Sequence, residues 1–76
     1  MTAEELNELR RAWGLDARQL AKVLCLHSTK VSEYLGEVEK IPCALGYHLE
    51  ALALLPEDQR RALFEKRLER PTHGRG

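Results

Sequence analysis

Between Ser28 and Glu33 the chain packs hydrogen-bonding side chains into a very short span: Ser28, Thr29, Lys30, Ser32 and Glu33. On a helical wheel advancing about 100° per residue, Val31 and Tyr34 define the side to be buried. Thr29, Ser32, Glu33 and Gly36 then take the opposite face, with Ser28 at the N-terminal end and Lys30 on the flank. Such a face has the chemistry of base-edge recognition. A lysine donates to the major-groove acceptors of guanine, a glutamate accepts from the cytosine amino group, and a serine or threonine hydroxyl does either. The solvated side of any short helix has a similar composition, so the weight of the pattern depends on what holds it.

What holds it is the stretch "LDARQLAKVLCLHSTKVSEYL", residues 15–35. Leu20, Ala21 and Leu24 share one face of a helix that Asp16 can cap and that runs to about Leu24. Cys25, Leu26 and His27 form a corner, a second helix covers about residues 28–35, and Gly36 stops it. Ala21 matters by its smallness, because two helices crossing over a short turn need a small residue where their backbones approach. This is the helix-turn-helix pattern, whose usual task is to lay the second helix in a DNA major groove. Arg18 and Gln19 in the first turn of the earlier helix, Lys22 one turn later, His27 and Lys40 are the candidates for phosphate contact. His27 has three readings: an acceptor for a helix N–H, a phosphate contact, or a solvated side chain. Arg10 and Arg11 read as plain solubilising charge, and Trp13 and Tyr34 read as core rather than as a base-stacking pair.

The remaining elements are also helical. Thr2 and Glu5 form a capping-box pattern ahead of Leu6, Leu9 and Trp13, predicting a helix over 3–13 closed by Gly14. Ile41-Pro42 opens a fourth helix with Pro42 at the first helical position, carrying Leu45, Leu49 and Leu52 on one stripe and Tyr47 and Leu54 partly on another. Pro56, Glu57 and Asp58 open a fifth, in which Leu63, Phe64 and Leu68 form an apolar edge. The expected fold is all-α with five helices in one domain over residues 1–70, followed by a disordered tail at 71–76. No strand pattern, repeat or low-complexity segment is present.

Composition bounds the function. Twelve basic and twelve acidic residues give a formal charge of zero, and residues 1–41 alone carry six Lys or Arg against seven Asp or Glu. Affinity for DNA must therefore come from the placement of charge on one face rather than from its sum. No apolar run approaches the roughly 18 residues of a membrane span, and the acidic start "MTAEELNELRR" is unlike a signal peptide, so a cytoplasmic chain is expected. Cys25 and Cys43 read as reduced thiols packed as small hydrophobes. Cys25 with His27, and Cys43 with His48, match no common zinc-finger spacing, so no metal site is expected. With no glycine-rich phosphate loop, no paired carboxylates and no nucleophile–base set that so small a chain could enclose, no enzyme, cofactor or small-molecule ligand is expected.

A chain of 76 residues buries only about 60% of the surface its unfolded form exposes, so a partner subunit would help it. Leu54, Leu55, Leu63, Phe64 and Leu68 exceed what a core of Leu20, Leu24, Val31, Tyr34, Leu45 and Leu49 needs. They are the expected homodimer interface across a two-fold axis. The bland alternative is that the fifth helix folds back and covers its own domain.

The stretch 15–35 resembles the Cro-type (Xre-like) helix-turn-helix of phage and bacterial repressors. The resemblance runs from about Thr2 to Leu52 through Leu20-Ala21, Leu24, Leu26, Val31-Ser32, Tyr34 and Ile41-Pro42. Residues 33–53, "EYLGEVEKIPCALGYHLEALA", look more narrowly like the small anti-CRISPR-associated regulators. The resemblance implies a lambda-repressor-like fold and a homodimeric repressor of a palindromic operator that shuts down the phage or anti-CRISPR operon it sits in. It also implies groove contacts from Ser28, Thr29, Ser32 and Glu33. Two departures stand out: Cys25 occupies a corner position that normally carries glycine, and Leu35 is apolar where the family is usually polar. Zero net charge and the absence of arginine from the second helix of the corner favour a competing reading, a protein-binding module of antitoxin or anti-CRISPR type on the same fold.

Overall fold

The chain enters its first helix, α1 (Ala3–Ala12), through a reciprocal cap. The Thr2 hydroxyl accepts from the Glu5 N–H at 3.1 Å, and the Glu5 carboxylate accepts from the Thr2 N–H at 2.9 Å. The second helix, α2 (Ala17–Leu24), repeats the device with Asp16 and Gln19, at 2.8 and 3.0 Å. Three further helices follow: α3 (Ser28–Leu35), α4 (Cys43–Leu54) and α5 (Glu57–Glu69). The computed structural model describes residues 1–69, and these are all-α, with five helices and no strand. The expected tail at 71–76 lies outside the described residues. Pro42 sits one position earlier than expected, as the extended residue preceding α4 rather than its first helical residue.

The first three helices end in the same hydrogen-bonded wrap. At the end of α1, Leu15 N–H reaches the Arg10 carbonyl and Gly14 N–H the Arg11 carbonyl. After α2, Leu26 bonds to Ala21 and Cys25 to Lys22; after α3, Val38 bonds to Glu33 and Glu37 to Tyr34. The wrap needs one left-handed residue. Gly14 supplies it at φ 69°, but Cys25 and Glu37 supply the other two at φ 61°. An L-residue there costs about 1–2 kcal/mol. Cys25 therefore keeps the turn that glycine would make and bears the strain itself. Gly36, expected to stop α3 by its freedom, has φ −89°. A Cβ on it would lie 3.3 Å from the Ser32 carbonyl oxygen, so its smallness serves a close approach.

The core is built on α2, which packs against α3 on one side and α5 on the other. Leu20, Ala21 and Leu24 are buried as expected, and so is Val23, because α5 covers the flank that a two-helix corner alone would leave open. Val31 and Tyr34 of α3, Leu49 and Leu52 of α4, Leu6 and Leu15 complete it, with Leu45 only partly buried. Phe64 of α5 is 6% exposed and meets Trp13 edge-on, ring centroids 5.1 Å apart. Leu55, Leu63 and Leu68 pack partly buried against the same core. The fifth helix thus folds back onto its own chain. Four of the five leucine and phenylalanine side chains assigned to a dimer interface are used internally, leaving Leu54, 85% exposed.

Three arginines fasten this arrangement by donating to carbonyls at helix ends and turns, which lack intrahelical partners. Arg10, read above as solvated charge, donates to the Leu15 carbonyl at 2.9 Å. Arg60 donates to the Leu55 carbonyl at 2.9 Å and lies 5.7 Å from the Trp13 ring. Arg67 donates to the Val23 carbonyl at 2.9 Å, tying α5 to the end of α2, and stands 3.2 Å from His48 of α4.

Candidate nucleic-acid interface

The outer side of α3 emerges from how its inner side is held. Val31 and Tyr34 anchor the helix at 0% and 4% exposure, which fixes the rotation of everything between them. Ser28, Thr29 and Ser32 are exposed, and their hydroxyls take no part in a hydrogen bond among the described residues. Glu33 is half-buried. The inside–outside division of the wheel therefore agrees with the structure, with Glu33 nearer the protein than its neighbours.

Lys30 is already engaged. Its ammonium donates to the Glu39 carboxylate at 2.7 Å, lies 3.8 Å from the Glu33 carboxylate and stands 6.0 Å from the Tyr34 ring centroid. The hydrogen bond to Glu39 raises its pKa above the ordinary lysine value; desolvation opposes this, and the charges of Glu39 and then Glu33 add to the rise. Glu39 reaches Lys30 because the wrap after α3 turns residues 37–39 back over the helix end, where the Val38 and Glu39 N–H groups both point at the Glu33 carbonyl.

The phosphate candidates divide. Arg18, Lys22 and Lys40 make no ion pair or side-chain hydrogen bond among the described residues. Gln19 is partly committed, since its side-chain oxygen closes the cap on Asp16. His27 is exposed and makes no side-chain bond to α3, so its reading as a helix cap is not realised. The backbone N–H groups that open α3 thus have no side-chain cap. Both cysteines are free and solvent-exposed, contrary to the expectation of packed thiols. Cys25 projects from its left-handed corner and Cys43 begins α4 on the outside. Among the described residues no group of three or more His, Cys, Asp and Glu side chains is placed to hold a metal ion.

A second surface is apolar. Ala44, Tyr47, Ala51 and Leu54 lie on the exposed side of α4, with Tyr47 at 66% and Leu54 at 85%. Their spacing is that of two successive a/d pairs of a heptad seam. Tyr47 and Leu54 are the second stripe expected on this helix, which Ala44 and Ala51 extend, whereas Glu39 was not among the expected site residues. The stripe was legible as apolar residues left outside the Leu45–Leu49–Leu52 face. The Lys30–Glu39 contact depends on the loop conformation and had no sequence signal. No helix is long and apolar enough to cross a membrane among the described residues. No protein-family model, curated protein or solved structure matches this chain.

Proposed function

We propose that this protein is a sequence-specific DNA-binding repressor of the lambda-repressor-like helix-turn-helix class, acting in the cytoplasm as a homodimer on a palindromic operator. The observation that carries the reading is α3 itself. It is anchored by the buried Val31 and Tyr34 and shows outward a hydroxyl face, Ser28, Thr29 and Ser32, that makes no side-chain hydrogen bond among the described residues. In this reading α3 enters the major groove, and Ser28, Thr29, Ser32 and Glu33 meet base edges. Arg18, Lys22 and Lys40, together with N–H groups at the start of α3, meet phosphates. Lys30 reaches a base only by leaving Glu39, an exchange that exposed ion pairs permit at low cost. The second copy docks on the exposed α4 stripe, and a palindromic operator requires the two α3 helices to lie about one duplex turn apart.

Selection from a random duplex library tests this. An enriched palindrome, bound at nanomolar-range affinity that falls steeply as salt rises, is the expected result. Micromolar binding to every sequence defeats the reading. Recovery of one stoichiometric protein partner that survives nuclease and high salt would replace it with the protein-binding module.

A further inference from the structure

Lys30 stands between two carboxylates, and the distances are unequal. Glu39 accepts its hydrogen bond at 2.7 Å, whereas Glu33 at 3.8 Å receives only its charge. Lys30 and Glu33 lie three residues apart on α3, a spacing at which lysine and glutamate pair readily on a helix surface. The pair therefore fails to close because a better acceptor competes for the ammonium. We infer that Glu39 is a positioning residue: by holding the Lys30 ammonium, it keeps the Glu33 carboxylate open as a hydrogen-bond acceptor on the outer side of α3.

The consequence rests on the DNA-binding reading. A glutamate at that place selects cytosine by accepting from its amino group, and a lysine hydrogen-bonded to the same oxygens would remove that acceptor. Glu39 thus governs base choice without touching the base. The loop conformation serves this arrangement. The left-handed Glu37 turns the chain, the Val38 N–H bonds to the Glu33 carbonyl at 2.8 Å, and Glu39 arrives over Lys30. Glu37 and Glu39 carry the same charge in the same loop, but Glu37 makes no ion pair among the described residues.

Three variants separate positioning from simple charge: Glu39→Gln, Glu37→Gln, and Glu39→Gln combined with Lys30→Gln. All three sites are at the surface, and circular dichroism verifies the fold. Heteronuclear NMR of the protein without DNA, reading couplings across the hydrogen bonds of the Lys30 ammonium, should show Glu39 as its partner in the wild type and Glu33 in Glu39→Gln. On the selected operator, Glu39→Gln should lose about two- to five-fold of the preference at the base pair that Glu33→Ala relaxes. Glu37→Gln should retain it, and removing Lys30 from Glu39→Gln should restore it. An ammonium that does not move to Glu33 overturns the inference, as does a preference lost equally in Glu37→Gln or not restored without Lys30. A wild type with no base preference on any duplex defeats the DNA reading alone, while the NMR partner switch still supports the positioning role.

Discussion

The outer faces of α3 and α4 are both exposed on helices anchored by buried residues, yet they are chemical opposites. On α3 the outward residues are hydroxyls flanked by Glu33 and by Lys30, whose ammonium is held by Glu39 of the following loop. On α4 they are Ala44, Tyr47, Ala51 and Leu54, with Glu50 the one charged residue in the helix. Neither face is needed to hold the chain together, because α5 and its arginines close the core from within. The difference assigns different tasks to the two faces: a directional hydrogen-bonding surface suits a polar partner read in detail, and an apolar stripe suits another apolar stripe. Substitutions on either face should therefore alter binding and spare stability, whereas substitutions beneath them should do the reverse.

The largest effect is expected beneath the surface. Phe64→Ala removes a ring that is 6% exposed and packed on Trp13, and should cost about 3–5 kcal/mol of stability in denaturant unfolding. A folded variant with wild-type stability would return Phe64 to an outer face and break the contrast. Next comes the α4 stripe. Leu54→Asp should leave the melting temperature near that of the wild type but weaken self-association by about 2 kcal/mol or more in sedimentation. A wild type that is monomeric at tens of micromolar removes the second copy from α4. On α3, Thr29→Ala and Glu33→Ala should each cost about 1–3 kcal/mol per half-site on the selected operator and little on random DNA. Arg18→Ala and Lys22→Ala should weaken both alike and flatten the salt dependence; the opposite division would rotate the docking face. The smallest effect lies at the corner between α2 and α3. Cys25→Gly should raise stability by about 0.5–1 kcal/mol, since relief of left-handed strain exceeds the entropy that glycine loses on folding. Thermal melts decide it, and a lower midpoint would mean that the cysteine side chain contributes more than its strain.

Local signals made the early helices legible. Thr2 with Glu5, and Asp16 ahead of α2, mark starts that need only neighbouring residues, and the 3.6-residue spacing of Leu20, Leu24, Val31 and Tyr34 fixes which sides turn inward. The wheel for α3 needed nothing more. The position of α5 was not legible, because its stripe of Leu63, Phe64 and Leu68 looks the same whether it covers a second copy or its own domain. The deciding contact, Arg67 to the Val23 carbonyl, spans 44 residues and leaves no period in the sequence. Lys30 and Glu39 escaped for a related reason. Nine residues separate them, and their meeting depends on Glu37 adopting a backbone conformation that glutamate rarely takes. The turn after α3 was credited to Gly36, whereas the left-handed residue is the next one along.

Arg67 has a consequence for motion. The carbonyl it holds belongs to Val23, in the last turn of α2, immediately before the corner that aims α3. Opening of the corner therefore requires either that this bond break or that the end of α5 leave with it, which couples the corner to the docking of α5. Amide protons that would exchange by local fraying in an isolated corner, such as that of Leu26 bonded to the Ala21 carbonyl, should instead exchange at the rate at which α5 undocks. The sharpness with which α3 is aimed is set by a residue that never approaches it in sequence, and shortening α5 by its final turn would blur that aim while leaving every side chain on α3 in place.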